Sequence, residues 1–181
     1  MRFIKGLGVL AIALAATPAM AEEFRLSSAS IAEGEKLSED LVYQGFGCDG
    51  GDASPQLSWS GAPAGTKSFA ITSFDPDAPT GSGWWHWNVV NIPANVTSLD
   101  AGASGTDKMP DGALEILNDY GAPGFGGACP PPGEMHRYVF TVHALAVETL
   151  DLPETPSNAL VGFMLGANTI DKATITAFYI R

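Results

Sequence analysis

Short segments rich in β-branched and aromatic residues recur along this chain, and turn-forming residues separate them. The strongest segments lie at 24–30, 68–74, 87–92, 138–145 and 174–180. Glycine and proline, 21 and 13 residues, are scattered through the chain as turn residues, which is typical of one loop-rich domain. The number and spacing of the segments predict a mainly β fold built from antiparallel sheets.

The first 21 residues have the pattern of a secretory signal peptide. Arg2 and Lys5 precede a short apolar stretch, and 19–21 (Ala-Met-Ala) has the small residues of a cleavage site. The apolar stretch is too short to span a bilayer, and no later stretch reaches the ~20 apolar residues that a span requires. We expect residues 1–21 to be removed, residues 22–181 to form one domain without an integral membrane segment, and the protein to be periplasmic or secreted.

The chain is strongly acidic. Its formal charge is −11 at neutral pH, and loss of the leader with its two basic residues makes this −13. Such a surface repels nucleic acid and anionic bilayers at long range. We therefore expect no nucleic-acid partner, and any anionic ligand must be held by local donors.

Two cysteines, Cys48 and Cys129, remain after the leader. In an oxidising compartment such a pair is more often bridged than free. Two buried free thiols are the alternative, because a sequence does not show that the two Cα atoms approach each other. We expect a disulfide.

The strongest helix candidate is the segment 157–171. Ser157 suits the N-cap position. Apolar residues follow it at helical spacing, namely Leu160, Met164 and Ala167. A second, weaker peripheral helix is expected to include 114–117.

The segment that begins at His136 alternates with a period of two. One face takes the more apolar row, His136, Tyr138, Phe140, Val142 and Ala144, and the other takes Arg137, Val139, Thr141 and His143. His136 heads the apolar row just after a Pro-Pro-Gly turn, which suits the mouth of a pocket. His143 is expected to be an ordinary strand residue.

Three segments concentrate polar groups among apolar and turn residues: 75–79 (DPDAP), 84–87 (WWHW) and 130–137 (PPPGEMHR). Pro76 and Pro79 make a stiff loop that would hold two carboxylates in place, although Asp-Pro pairs also form plain turns. The indoles around His86 can form the apolar wall of a small-ligand pocket or belong to the core. Arg137 is expected to hold its loop by pairing with an aspartate such as Asp77.

In order along the chain, five segments resemble the motifs of the phosphatidylethanolamine-binding protein (PEBP) family: 67–70, 75–79, 86–87, 126–133 and 136–138. The similarity is closest to the bacterial Raf-kinase-inhibitor-like branch and covers nearly all of 24–181. It implies antiparallel β-sheets with Greek-key topology and a small anion pocket at one end of the central sheet. The positions that match the family's pocket motifs are Asp75, Asp77, Pro79, Trp85, His86, Pro131, His136 and Tyr138.

The resemblance also implies a ligand class. Family members hold phosphate, acetate or a phosphorylated headgroup in this pocket, and eukaryotic members regulate kinases and flowering. Fold does not transmit function, and an exported protein does not meet those partners. We therefore expect a non-catalytic binding protein that needs no cofactor or metal, with a homodimer or a protein target also compatible with the sequence.

Two other functions are open. One is a protein inhibitor that engages a partner through the pocket rim. The other is a hydrolase or lyase that uses His86 and His136 with Asp75 or Asp77 as acid and base. No Gly-x-Ser-x-Gly elbow and no recognised zinc spacing accompanies these residues, so turnover is the weaker hypothesis.

This sequence departs from the family pattern in two places. Residues 50–52 (Gly-Gly-Asp) stand where relatives often have Gly-Gly-Asn, and we expect the change to alter only a surface loop. Asn168 stands where relatives tend to have a histidine in the C-terminal helix, and a helix that covers the pocket would make this change matter for ligand choice.

The sharp reversal expected at 75–79 makes Ala78-Pro79 a candidate cis peptide bond.

Overall fold

The computed structural model of the protein describes residues 22–181. The predicted signal peptide, 1–21, lies outside the described residues. Within the part of the chain that is described, no helix has the length and apolar content needed to cross a membrane. These residues form mainly strands, as predicted, together with one α-helix and a short 3-10 helix, Glu39–Leu41.

A five-stranded antiparallel sheet forms the centre of the fold. Its strands, in spatial order, are β10 (Thr169–Ile180), β9 (Met135–Leu145), β5 (Ser68–Asp75), β6 (Trp84–Pro93) and β8 (Leu114–Glu115). Strands β9 and β5 are neighbours in space although they are far apart in the chain, which is consistent with Greek-key connectivity.

Two smaller sheets flank the central one. Strands β1 (Arg25–Ser27), β4 (Leu57–Ser60) and β7 (Ser98–Leu99) form a three-stranded antiparallel sheet, and β2 (Gln44–Gly45) pairs with β3 (Cys48–Asp49) in a hairpin. Each of the five predicted strand segments therefore contains a strand, although in 24–30 the strand covers only Arg25–Ser27.

Residues 114–117 do not form the predicted helix. Leu114–Glu115 are strand β8, which pairs with Val89 and Val90 of β6. Backbone hydrogen bonds to a buried central strand outweigh the weak local preference of such a short segment for helix.

The two faces of the central sheet bury separate apolar clusters. On one face, Tyr138 and Phe69 pack against Trp59 of the three-stranded sheet, and the rings of Phe69 and Trp59 meet edge to face with centroids 5.4 Å apart. On the other face, Val90 packs with Leu165 of the helix. The central sheet is thus covered on both sides, which explains why β5 and β6 in its middle are buried along most of their length.

The helix α1 spans Asn158–Asn168, and its predicted N-cap is confirmed. The side chain of Ser157 accepts a hydrogen bond from the backbone N–H of Leu160 at 3.2 Å. The predicted apolar stripe is wrong, because Val161 and Leu165 are the buried residues and Leu160 is 36% exposed. This helix carries no charged residue, so helical spacing alone does not distinguish one apolar stripe from the next.

Candidate functional site

One cavity lies where three central strands meet. Asp75 ends β5, Trp84 begins β6, and His136 is near the start of β9. The end of an antiparallel strand lies beside the starts of its neighbours, so these residues gather at one edge of the sheet. The cavity has a volume of about 170 Å³. Its lining residues are Phe46, Asp75, Ala78, Pro79, Thr80, Trp84, His86, Tyr120, Cys129, Pro131, His136 and Tyr138.

Strand β9 supplies two lining residues through the predicted alternation. His136, Tyr138 and Phe140 are buried, whereas Arg137 between them is exposed. His143 lies on the other face, where burial and the charge of Lys172 lower its pKa to about 4. The alternation of β9 therefore directs His136 toward the cavity and His143 away from it.

A β-bulge in β6 directs His86 into the cavity. In the pairing of β5 with β6, Trp85 and Trp87 oppose successive residues of β5, and His86 is the extra residue between them. Trp85 packs on Phe74 with ring centroids 4.5 Å apart and lines a groove beside α1 instead of the cavity. Trp84, which was not predicted, takes the place in the cavity wall that we expected for Trp85.

The buried carboxylate of Asp75 orients the ring of His136. It accepts hydrogen bonds from the backbone N–H groups of Asp77 and Ala78 at 2.8 and 3.1 Å and from Nδ1 of His136 at 2.7 Å. The other ring nitrogen, Nε2, lies 3.3 Å from a carboxylate oxygen of Glu134. Burial lowers the pKa of His136, but the two carboxylates outweigh burial and raise it. His136 is therefore the histidine of the cavity that most readily carries a positive charge.

His86 has the opposite environment. Its Nδ1 lies 2.7 Å from the carbonyl oxygen of Gly126 and 3.1 Å from that of Gly127. Carbonyl oxygens only accept hydrogen bonds, so Nδ1 carries the proton. The ring is 2% exposed, and this burial lowers its pKa. The neutral ring leaves Nε2 as a buried acceptor without a protein partner.

A close approach of two loops holds the carbonyl groups that bind His86. A Cβ on Gly127 would clash with backbone atoms of 41–43, so only glycine allows the loop to lie there. The backbone N–H of Gly127 donates to Asp52 at 2.7 Å. The expectation that Asp52 affects only a surface loop is therefore wrong, and nothing in the local sequence pairs position 52 with position 127.

Three buried polar atoms around the cavity have no hydrogen-bond partner: Nε1 of Trp84, Nε2 of His86 and the hydroxyl of Tyr138. The backbone of Cys129 lies near the hydroxyl of Tyr138, but no hydrogen bond of good geometry joins them. Burial raises the pKa of Tyr138, so its hydroxyl keeps its proton. Trp84 and Tyr138 therefore offer donors, and His86 offers an acceptor.

The predicted disulfide between Cys48 and Cys129 is present. It joins β3 of the small hairpin to the residue that precedes the proline-rich loop. The turn of this hairpin carries Phe46, which has a positive φ of 52° and is 70% exposed. The disulfide therefore anchors an exposed aromatic ring at the mouth of the cavity.

Arg137 pairs with Asp77, as predicted. The Nε and Nη2 groups of Arg137 donate to the two carboxylate oxygens at 2.8 and 2.7 Å. This hydrogen bonding lowers the pKa of Asp77 to about 2. Arg137 is largely exposed, Asp77 is partly buried, and both lie outside the cavity wall, so Asp77 is not among the residues that the structure brings to the cavity.

Two expectations about the surroundings of the cavity are wrong. The Ala78-Pro79 bond is trans, as is every described peptide bond. The chain reverses because the side chain of Asp75 accepts from the backbone amides two and three residues ahead, which is an Asx-type turn. The helix α1 does not cover the cavity, and Asn168 instead donates to a carbonyl of its own helix at 2.8 Å.

Sequence reasoning also missed Tyr120 and Phe46. Tyr120 stacks on Tyr43 with centroids 3.9 Å apart and meets His86 edge to face at 5.6 Å. Both missed residues lie in loops outside the recognised motifs, and no local pattern marks them. Among residues 22–181, no cluster of three histidine, cysteine or acidic side chains is arranged to hold a metal ion.

These features define a class of protein: an antiparallel β domain with a small, partly aromatic cavity and unpaired polar atoms at one edge of its central sheet. Comparison with known proteins gives the family. The model of the phosphatidylethanolamine-binding protein family matches residues 27–180, and the chain belongs to this family.

Two curated relatives come from Escherichia coli strain K12. The UPF0098 protein YbcL is 56% identical over 164 residues, which cover 89% of this chain and 90% of YbcL. The UPF0098 protein YbhB is 51% identical over 156 residues, 86% of this chain and 99% of YbhB. The crystal structure of YbcL superposes with a TM-score of 0.85 at 55% identity, covering 88% of this chain and 99% of the chain in that crystal structure.

Proposed function

We propose that this protein binds a small oxyanion, phosphate or the phosphate group of a larger molecule, without turning it over. The observation that carries the proposal is the set of three unpaired buried polar atoms, on Trp84, His86 and Tyr138, around one cavity. Buried polar atoms nearly always have a hydrogen-bond partner, and an unpaired one costs about 1–3 kcal/mol. A ligand with several oxygen atoms would satisfy the donors of Trp84 and Tyr138, and a protonated oxygen of the same ligand would satisfy Nε2 of His86.

The size of the cavity favours a small ligand. Its volume of about 170 Å³ is below the ~300–1,000 Å³ of typical pockets for drug-sized molecules. A single phosphate or carboxylate group would occupy such a space. The remainder of a larger ligand would extend past Phe46, which stands exposed at the mouth.

Local charges favour an anion although the whole chain is acidic. His136 balances Asp75 when its ring is protonated, and Arg137 balances Asp77. Glu134 is the remaining carboxylate, at 3.3 Å from Nε2 of His136. Its side chain is more than half exposed, so it would move into solvent at little cost when an anion takes its place.

Binding without turnover is supported by the state of the hydroxyl and thiol groups in the cavity wall. Cys129, which would be the strongest nucleophile there, is held in the disulfide. The hydroxyl of Thr80 donates to the carbonyl of Gly83 at 2.5 Å. The hydrolase and inhibitor alternatives stay predictions.

We propose further that the protein acts outside the cytoplasm. The composition of 1–21 is that of a signal peptide, and the Cys48–Cys129 disulfide fits an oxidising compartment. The periplasm or the extracellular medium would provide both conditions.

Two adjacent tryptophans provide a matched test of the binding site. Trp84→Phe removes an indole N–H at the cavity, whereas Trp85→Phe makes the same change on a ring that lies outside it. Calorimetric titration with inorganic phosphate at about pH 6 should show binding to the unmodified protein. Trp84→Phe should weaken this binding roughly tenfold or more, because a hydrogen bond to a charged group contributes ~1.5–3 kcal/mol, and Trp85→Phe should leave it unchanged.

Two results would contradict the proposal. One is the absence of phosphate binding by the unmodified protein at millimolar concentrations. The other is an equal loss of affinity in the two variants, which would locate the phosphate outside the cavity. Thermal unfolding of both variants gives the control that each remains folded.

A further inference from the structure

We infer that the cavity selects an oxyanion that still carries a proton, such as hydrogen phosphate, over a fully deprotonated tetrahedral anion such as sulfate. The inference rests on the proposed function and narrows its ligand class. It follows from the way in which the fold fixes the tautomer of His86.

The proton of His86 is committed to the protein. Nδ1 faces two carbonyl oxygens, of Gly126 and Gly127, at 2.7 and 3.1 Å. Both are acceptors, so the proton must stay on Nδ1. The N–H of Gly127 donates to Asp52, and it shares a planar peptide unit with the carbonyl of Gly126, so this bond keeps that carbonyl turned toward Nδ1. The nitrogen left for a ligand, Nε2, therefore presents a lone pair.

The surroundings of His86 keep its ring neutral. The ring is buried and packs edge to face against Tyr120 and Tyr138, with centroids 5.6 and 5.0 Å apart. Two carboxylates, Asp75 and Asp119, favour protonation from a distance, and burial outweighs them so that the pKa of His86 is lowered. Neither carboxylate hydrogen-bonds to the ring. A proton on His136, the other histidine of the cavity wall, would further oppose a positive charge on His86.

The unpaired polar atoms of the cavity thus combine two donors with one acceptor. Trp84 and Tyr138 donate, and Nε2 of His86 accepts. An oxygen without a proton would place its lone pairs against the lone pair of Nε2, whereas a P–OH group would donate to it. Hydrogen phosphate and sulfate at about pH 8 share shape and a double negative charge, and they differ by this one proton.

The same reasoning separates phosphate esters. A monoester retains a proton only near or below its second pKa of about 6, and a diester, as in an intact phospholipid headgroup, has no P–OH group at all. The cavity should therefore prefer inorganic hydrogen phosphate, or a monoester in mildly acid medium, over a diester.

The test is calorimetric titration of the purified protein with sodium phosphate and with sodium sulfate at equal ionic strength and about pH 8. We expect phosphate to bind roughly 10- to 100-fold more tightly than sulfate. This ratio corresponds to the free-energy cost of the sulfate complex, in which the buried acceptor Nε2 of His86 stays unpaired. Dimethyl phosphate, a diester probe, should bind as weakly as sulfate. Equal affinity for phosphate and sulfate would overturn this inference and leave the proposed function standing, whereas failure of both anions to bind would overturn the two together.

Two variants show whether His86 is the source of the selectivity. His86→Gln places an amide near the position of Nε2, and the amide can turn a donor toward the ligand, so the ratio of phosphate to sulfate affinity should fall toward one. Tyr138→Phe removes a donor that serves both anions, so both affinities should fall and their ratio should persist. If Tyr138→Phe collapses the ratio while His86→Gln, shown to be folded by its melting curve, preserves it, the assignment to His86 is wrong.

Discussion

Replacement of Asp75 by asparagine is the sharpest test of the charge arrangement in the cavity. The carboxylate is 3% exposed and accepts three hydrogen bonds, from the amides of Asp77 and Ala78 and from Nδ1 of His136. Asparagine keeps one oxygen that can still accept from the two amides. Its NH₂ group, however, would face the N–H of His136, donor against donor.

The expected loss is that of one buried hydrogen bond between charged groups, about 1.5–3 kcal/mol. Its pH dependence follows from His136, whose pKa is raised in the folded protein. A raised histidine pKa adds stability that is fully present below the unfolded value of about 6.5 and is lost as the pH rises through the folded value. The Asp75→Asn variant should therefore be most destabilised in mild acid and less so in base.

Urea unfolding with the disulfide intact, from about pH 5 to pH 9, measures this difference. For a urea slope of ~1–3 kcal/mol/M, the midpoint of Asp75→Asn should fall by roughly 1 M in acid. Asp77→Asn is the matched control, because it removes a carboxylate from the same loop. The pKa of Asp77 is about 2, so its contribution to the free energy of unfolding is lost only as the pH falls toward that value. Between about pH 5 and pH 9 this contribution should stay constant.

The control variant should also lose less stability, at most about 1 kcal/mol, because its partner Arg137 is largely exposed. A loss in Asp75→Asn no larger than in Asp77→Asn, or one that does not change between acid and base, would refute the assignment of a charged pair to Asp75 and His136.

Three further predictions concern stability and affinity. Replacing Cys48 and Cys129 with serine should lower the free energy of unfolding by about 4–5 kcal/mol, since the bridge spans 81 residues, and guanidinium unfolding would show it. Leu165→Ala should cost about 2–5 kcal/mol in the same assay, because the side chain is buried under α1, while Phe163→Ala, at 71% exposure, should cost almost nothing. Glu134→Gln should strengthen phosphate binding severalfold by removing the anion that competes for His136, and unchanged or weaker binding by calorimetry would contradict this.

Periodicity predicted the parts of the site that regular strands carry. The alternation along β9 placed His136 and Tyr138 together on the buried face and Arg137 on the exposed one, because successive side chains of a regular strand point to opposite faces. The N-cap at Ser157 was predictable for a similar reason, because its hydroxyl accepts a hydrogen bond from an amide only three residues away. Such features depend only on neighbours in sequence, and a sequence therefore reveals them.

Other parts of the site depend on pairing between distant segments. The bulge at His86 arises from the register of β6 against β5, and it reversed the expected roles of Trp84 and Trp85. Asp52 reaches a loop 75 residues away. The sharp turn after Asp75 suggested a cis proline, but a side chain that caps the turn achieves the same reversal with a trans bond. No single segment encodes these outcomes.

The protonation states of the histidine rings provide the most direct measurement of the whole account. The chain has three histidines, His86, His136 and His143, so a long-range ¹H–¹⁵N correlation spectrum would resolve each ring. In mild acid, at about pH 6, we expect a charged His136, a neutral His86 with its proton on Nδ1, and a neutral His143. Added phosphate should shift the signals of His86 and His136 and leave His143, on the far face of the sheet, unchanged. A charged His86 before phosphate is added, or a titration in which neither cavity histidine responds, would contradict the account.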